Sequence, residues 1–393
     1  MSVEAVREFL MGIGMHPDQI GSEKDVDEFE QAMVDGLKKE GGSCLPMLPS
    51  FASSLEGSKL RGRASVIDAG GTNLRAALVE FTDHGPEILE FKKTEVPGRQ
   101  GRISFAEFTD RVADFVRPYF EASDALGYCF SFPAINLPTA EAHVLAFNKE
   151  LEVDVPPMSY LCKSLFASLG QEKPFCVVND STAAMLSVPA LTGNRLEHSV
   201  GMILGTGFNV CYPERCASIA KSPEAVEMPG FMAVNIEAAS YDRFTRGRAD
   251  VLYDATTGLP GDHQLEKMVA GAYFGGLVTT ALRLACDEGL FSEEGERFLR
   301  NAEPYKTIDV ATVAAGGVFP ELNEADMQTA AEIIRELTRR AARAAAVPIL
   351  ASKHRCSPDQ PVTLLTEGQY DQQICLSELL FQRGPKGPRG NHH

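Results

Sequence analysis

Ala64-Ser65-Val66-Ile67-Asp68-Ala69-Gly70-Gly71-Thr72-Asn73-Leu74-Arg75-Ala76-Ala77-Leu78-Val79-Glu80-Phe81 is the stretch on which the fold is decided. Two apolar runs, 64–68 and 74–81, flank a Gly-Gly turn at 69–73, so the segment is expected to form a β-hairpin. A third strand is expected over 88–96, where Glu and Lys interleave with apolar residues, and a helix over 104–119. Apolar runs at 126–130 and 175–179 read as further strands. Upstream, 24–40 is an amphipathic helix with Val26, Phe29, Met33 and Leu37 on one face, and 44–63 is a connector rich in Pro, Ser and Gly. Strands alternating with helices give an α/β class.

A second unit of the same build follows. The apolar run 199–204 leads to Gly205-Thr206-Gly207, and 208–212 returns. Each turn is followed by an Asn (Asn73, Asn209), which reads as one supersecondary unit used twice. The second half is expected to be helical over 264–288 and 325–351. In the latter Ile333, Ile334, Leu337, Ala341 and Ala345 face inward, and Arg335, Arg339 and Arg343 form a solvated stripe. Pro348 is expected to end or kink that helix.

The 393 residues suffice for two packed lobes, and 44% apolar with 23% charged residues is the composition of an ordinary soluble protein. A net charge of −17 argues against nucleic acid or an anionic membrane as main partner. No run of eighteen apolar residues occurs, and the first fifteen residues lack a signal-peptide pattern, so a cytoplasmic location is expected. The nine cysteines form no Cys-x-x-Cys pair and read as free thiols.

The Asp68-x-Gly-Gly-Thr-Asn turn has two readings. Its glycines let backbone N–H groups approach a phosphate, with Thr72 and Asn73 adding donors and Asp68 positioned for Mg²⁺; an ordinary tight hairpin favours Gly-Gly as well. Gly205-Thr206-Gly207 alone is weaker, since it lacks a third glycine and a helix start. No Gly-x4-Gly-Lys-Ser/Thr loop and no His-Arg-Asp loop occurs, which argues against a P-loop NTPase and a protein kinase. Asn179-Asp180, at the end of an apolar strand, is either a helix N-cap or a carboxylate at the sheet edge where ligands gather.

Taken in order over 45–370, these segments resemble the hexokinase family. The resemblance is carried by Met47-Leu48-Pro49-Ser50-Phe51, Asp68-Ala69-Gly70-Gly71-Thr72-Asn73-Leu74-Arg75, and Phe130-Ser131-Phe132-Pro133. It continues through Phe147-Asn148-Lys149, Val178-Asn179-Asp180-Ser181, Gly205 to Tyr212, Asn235-Ile236-Glu237 and Glu266-Lys267-Met268. It implies an actin-like ATPase (ribonuclease H-like) fold with a central cleft. The small lobe would be 64–178, the large lobe 1–63 and 179–370, and 371–393 a disordered or aberrant tail.

The implied activity is transfer of the γ-phosphoryl of ATP, with Mg²⁺, to the 6-hydroxyl of a hexose such as D-glucose, by a monomer or homodimer. Asp180 and Lys149 would be catalytic. The sugar would be held by Ser131, Phe132, Asn148, Lys149, Asn179, Asp180, Asn209, Glu237 and Glu266. The nucleotide phosphates would lie against Asp68, Gly70, Gly71, Thr72, Asn73, Arg75, Gly205, Thr206, Gly207 and Gly271, with Asp68 reaching the metal through water.

The sequence departs from the family pattern at Asn148 (usually Thr), at Ala238-Ala239 (an aromatic and glycine), and at Ala272 (often Lys). After Glu367-Gly368-Gln369-Tyr370 the family's adenosine loop and last helix are not found in 371–393. An alternative expectation is therefore a catalytically impaired hexose-binding or sensor protein.

Overall fold

The computed structural model describes residues 2–52, 61–147, 151–193 and 195–368. Two helices open the chain, each started by a side chain that satisfies free backbone N–H groups. α1 (Val3–Gly12) is capped by Ser2, and α2 (Glu23–Lys38) by a capping box of Ser22 and Asp25. The expected face of α2 is buried. The connector is more ordered than its composition implies. Within it β1 (Leu48–Pro49) pairs with residues 234–235, and the Ser50 hydroxyl donates to the Ala233 carbonyl at 2.7 Å.

The first sheet follows. β2 (Gly62–Ala69), β3 (Asn73–Thr82) and β4 (Gly85–Glu95) form the expected antiparallel meander. β5 (Ile103–Ser104) leads into α3 (Phe105–Glu121), which the Ser104 hydroxyl caps. β6 (Ala125–Phe130) returns parallel to β2. The short strands β7 (Ala134–Asn136) and β8 (Ala142–Val144) pair with one another, and β9 (Val153–Asp154) pairs with β5. α4 (Leu161–Leu169) has no local cap; Glu141 serves instead, accepting from the Cys162 and Lys163 N–H groups at 2.9 and 2.8 Å. β10 (Phe175–Val178) completes a five-stranded sheet ordered β10-β6-β2-β3-β4. One face buries Ile67, Leu74, Leu126, Tyr128 and Phe130 against α3 and α4. The opposite face carries Asp68, Arg75 and Cys129.

A second sheet is built next. α5 (Asp180–Thr192), β11 (Ser199–Leu204), β12 (Phe208–Arg215), α6 (Pro223–Val226) and β13 (Phe231–Asn235) come in succession. Helices α7 (Arg248–Asp254), α8 (Gln264–Val269), α9 (Phe274–Asp287), α10 (Glu293–Asn301), α11 (Thr307–Ala314) and α12 (Glu324–Cys356) precede β14 (Thr363–Gly368). The sheet order is β1-β13-β12-β11-β14. The series β4-β3-β2-β6 and β13-β12-β11-β14 have the same pairing, antiparallel twice and then parallel. The repeat read from the two glycine turns is thus a repeat of topology.

Two helical expectations are corrected. The helix over 264–288 is two helices, because the Gly271 and Ala272 N–H groups leave the helical ladder to bond the Gly205 and Thr206 carbonyls at 2.8 and 3.1 Å. Of the two expectations for Pro348, an end or a kink, the end is overturned: α12 runs on to Cys356. A proline inside a helix costs about 3 kcal/mol. Burial of Ala344, Val347, Ile349 and Ala351 around it offsets that cost. The eight described cysteines are free, and among the described residues no helix is long and apolar enough to cross a membrane.

Candidate active site

The C-terminal ends of β2, β10, β11 and β14 carry the chemistry-bearing residues, as open α/β sheets generally arrange. At the end of β10 the two readings of Asn179-Asp180 divide between the residues. Asn179 is the N-cap of α5; its Oδ1 accepts from the Ser181 N–H at 3.0 Å and from the Ser181 hydroxyl at 2.8 Å. Asp180 is the first helical residue. Its Oδ1 accepts from the Ser181 N–H at 2.8 Å, so Oδ2 is the oxygen left to face a ligand.

Asn235, at the end of β13, is the hub of an amide–carboxylate network. Its Nδ2 donates to Glu237 Oε1 at 2.6 Å, and its Oδ1 accepts from Asn209 Nδ2 at 2.7 Å. Asn209 Nδ2 also reaches Glu237 Oε1 at 3.3 Å, and the Ser181 hydroxyl lies 3.5 Å from Asn235 Oδ1. Glu237 is held at φ +55°, a conformation that costs a non-glycine residue energy and is found where surrounding contacts enforce it. Burial pushes its carboxyl up, the Asn235 amide pulls it back, Asp180 and Glu266 add to the rise, and His263 opposes it. Asp180, Asn209, Glu237 and Glu266 therefore belong to one electrostatic neighbourhood.

The second glycine turn is locked to this group. Glu266 Oε2 accepts from the Phe208 N–H at 3.0 Å. A Cβ on Gly207 would lie 2.8 Å from the same oxygen, so glycine there admits the carboxylate. Gly205 N–H donates to the Gly207 carbonyl at 3.0 Å, and the Thr307 hydroxyl fixes Gly271 through its carbonyl at 2.7 Å. Thr206 is exposed at the tip of the turn.

The first turn has its own set of bonds. Gly70 N–H donates to the Asn73 carbonyl at 3.1 Å, and the Thr72 and Gly71 carbonyls accept from Val96 N–H and Arg99 Nη1 at 3.3 and 3.4 Å. Thr72 is exposed, and a Cβ on Gly70 would meet nothing nearer than 3.9 Å, so the surface there is open to an approaching group. Neither Gly70 nor Gly71 has a positive φ; the turn itself does not demand glycine. Asp68 pairs with Arg75 across the hairpin. Glu367, at the end of β14, has its carboxyl pushed up by desolvation and by Asp68 and Asp180, with Arg75 opposing.

Ser131 lies at the end of β6, its N–H donating to the Ala69 carbonyl at 3.2 Å. The Phe132 ring packs on Phe130 and Phe147, and the residue is only 4% exposed. Asn148 and Lys149 lie outside the described residues, as do Gln369, Tyr370 and the tail 371–393. Sequence reasoning did not name Asn235, Ser181, Cys129, Glu367 or Thr307 as a site residue. Asn235 carried a signal, standing two residues before Glu237 on a strand end; Cys129 and Thr307 carried none.

The donor set suits a magnesium ion brought in with phosphates. Among the described residues no three His, Cys, Asp or Glu side chains form a metal cage. Asp68 at the first turn, with the carboxylates of Asp180 and Glu367 in its electrostatic surroundings, fits an ion that keeps its waters and is held mainly by substrate oxygens.

Two family models described as hexokinase match the chain, one over residues 5–189 and the other over residues 199–373. Hexokinase-1 of Nicotiana tabacum is 27% identical over 310 residues, covering 73% of this chain and 61% of that protein. Hexokinase-3 of Homo sapiens is 28% identical over 320 residues, covering 77% of this chain and 33% of that protein. The chain thus spans less than two thirds of the length of these relatives. The hexokinase from Schistosoma mansoni complexed with glucose superposes with a TM-score of 0.76 at 20% identity, covering 98% of this chain and 95% of that one. That likeness establishes the fold, the actin-like ATPase arrangement.

Proposed function

The chain belongs to the hexokinase family, and from that premise we propose that it transfers the γ-phosphoryl group of ATP to the 6-hydroxyl of a hexose, with D-glucose as the acceptor. The observation that carries the reading is the Asn235-centred hydrogen-bond network of Asn209 and Glu237, with the charges of Asp180 and Glu266 near Glu237; these residues are supplied by β12, the segment after β13, α5 and α8. A pyranose presents several hydroxyls, each donor and acceptor, and a ring of amides and carboxylates matches them.

In this reading Asn179, Asn209, Glu237 and Glu266, with Ser131, Asn148, Lys149 and the main chain at Phe132, hold the sugar. Asp180 Oδ2 accepts the 6-hydroxyl proton as that oxygen attacks the γ-phosphorus in line. Lys149 sets positive charge beside the transferring group. The turns 70–73 and 205–207, with Gly271, face the phosphates, and Arg75 steadies the first of them. Asp68 would hold a magnesium ion, which would supply neutralising charge to the phosphates. The small lobe is taken as 64–178 and the large lobe as 1–63 with 179–370; their closure excludes water from the reaction.

A coupled assay of ADP release, run with glucose, fructose and mannose in turn, tests the proposal. ADP formed only with a hexose present is the expected result. Hexose-independent ATP hydrolysis, or no ADP with any of the three, would refute it.

A further inference from the structure

Glu266 and Lys267 stand next to each other on α8, and successive helical residues point about 100° apart. Glu266 turns to the second glycine turn, where its Oε2 meets the Phe208 N–H. Lys267 turns inward and is only 6% exposed. Its ammonium donates to Asp254 Oδ1 at 2.6 Å and to the Leu259 carbonyl at 2.5 Å. Asp254, the last residue of α7, is buried to the same degree. Its Oδ2 accepts from Arg246 Nη1 at 2.8 Å and from the Gly261 N–H at 2.9 Å. One carboxylate thus gathers two cations and a backbone N–H, and ties the end of α7 to α8 and to the segment 255–261 between them.

A buried ion pair is a poor source of stability, because desolvation of both charges offsets their attraction; its attested use is to fix a geometry. α8 has six residues, too few for a helix to hold by its own ladder, so anchors outside it set its direction. Leu265 supplies one, its N–H donating to the Tyr241 carbonyl at 3.2 Å. Lys267 supplies the ionic one, a single residue after the carboxylate that the sugar site needs. We propose that Lys267 is a positioning residue that acts through Glu266. Its grip on Asp254 sets the rotation of α8 about its axis and holds the Glu266 carboxylate toward the hexose. Arg246 completes the anchor from the other carboxylate oxygen. The inference rests on the sugar-site reading above and deepens it.

Calorimetric titration of the full chain with glucose, and separately with MgATP, tests this in the parent, Lys267→Met, Glu266→Ala and the double variant. Methionine removes the charge, and Asp254 retains Arg246 and the Gly261 N–H. Lys267→Met is expected to weaken glucose binding about tenfold, the effect of losing one hydrogen bond to a charged group, and to leave MgATP binding unchanged. In the Glu266→Ala background the same substitution should cost less than about twofold, because the side chain it positions is gone. Should Lys267→Met not fold, Asp254→Asn/Lys267→Met leaves no lone charge in the buried pair and is expected to show the same weakening. Unchanged glucose affinity overturns the inference. So does an equal loss in both backgrounds, or an equal loss for glucose and MgATP, since either marks a packing role. Glucose affinity is read apart from turnover, so a parent that releases no ADP refutes the kinase reading while the affinities still decide this one. A parent that binds no glucose overturns both.

Discussion

Gly201 of β11 lies so close to α5 that a Cβ there would sit 2.5 Å from the Ser181 carbonyl oxygen. The same Cβ would lie 2.5 Å from the Met185 N–H nitrogen, so both obstacles are backbone and cannot swing aside. This glycine sets the height at which α5 rests on the sheet, and with it the position of Asp180, the residue before Ser181. Gly201→Ala is expected to lower stability by about 1–3 kcal/mol through overpacking. Phosphoryl transfer should slow as well, because the helix start is displaced. A thermal melt and a turnover assay check the two effects; an unshifted melt would show that the helix has room to give.

Asp180→Ala removes the proposed base while leaving the Asn235 network in place. Turnover is expected to fall by about 10²–10⁴-fold, the usual contribution of a positioned proton acceptor. Glucose affinity, measured by calorimetry, should remain near that of the parent. A variant that still turns over would assign the proton to another group.

Gly207→Ala presses on a side chain rather than on backbone. The new Cβ would meet Glu266 Oε2 at 2.8 Å, and a flexible carboxylate can retreat, giving up its bond to the Phe208 N–H. The fold should tolerate the change. The KM for hexose should rise roughly tenfold, the effect of losing one charge-assisted hydrogen bond. A raised KM with an unchanged melt is the expected pair of results. An unchanged KM removes Glu266 from the sugar site.

The pH dependence of stability follows from Glu237. Burial raises its carboxyl above the unfolded value, helped by Asp180 and Glu266 and resisted by Asn235 and His263. The folded state then holds the proton to higher pH than the unfolded chain does. Ionisation of this group works against the fold once pH passes the unfolded carboxylate value, and most fully above the folded one. Glu237→Gln, neutral throughout, should therefore melt above the parent at about pH 7, and the gap should close towards about pH 4. Melts across that range decide it; a gap independent of pH would mean that charge is not the cause.

The hairpin at 62–82, the paired glycine turns and the strand-end position of Asp180 were legible because each is a local pattern with period two or a fixed turn residue. The helix at 264–288 was misread for the opposite reason. Its apolar periodicity is continuous, but the N–H groups of Gly271 and Ala272 bond carbonyls more than sixty residues earlier. Pro348 does not end its helix, because a local rule about proline lost to the burial of the residues around it. At Phe132 the resemblance implies a sugar contact, and what the structure adds is that its ring packs on Phe130 and Phe147.

The sequence by itself determined the α/β class, the repeated strand–turn–strand unit and the order of motifs that places the chain among hexokinases, since these follow from neighbours along the chain. Tertiary structure alone decided that Asn235 binds Asn209 and Glu237 together, that Gly201 and Gly207 are tight against Ser181 and Glu266, and that Asp68 lies between Arg75 and Cys129. Most of those relations, such as Asn209 with Asn235, Gly207 with Glu266 and Asp68 with Cys129, join residues far apart in sequence across separate strands and helices. Hydrogen bonds and steric exclusion act over a few ångströms of space, and no count of residues along the chain measures that distance.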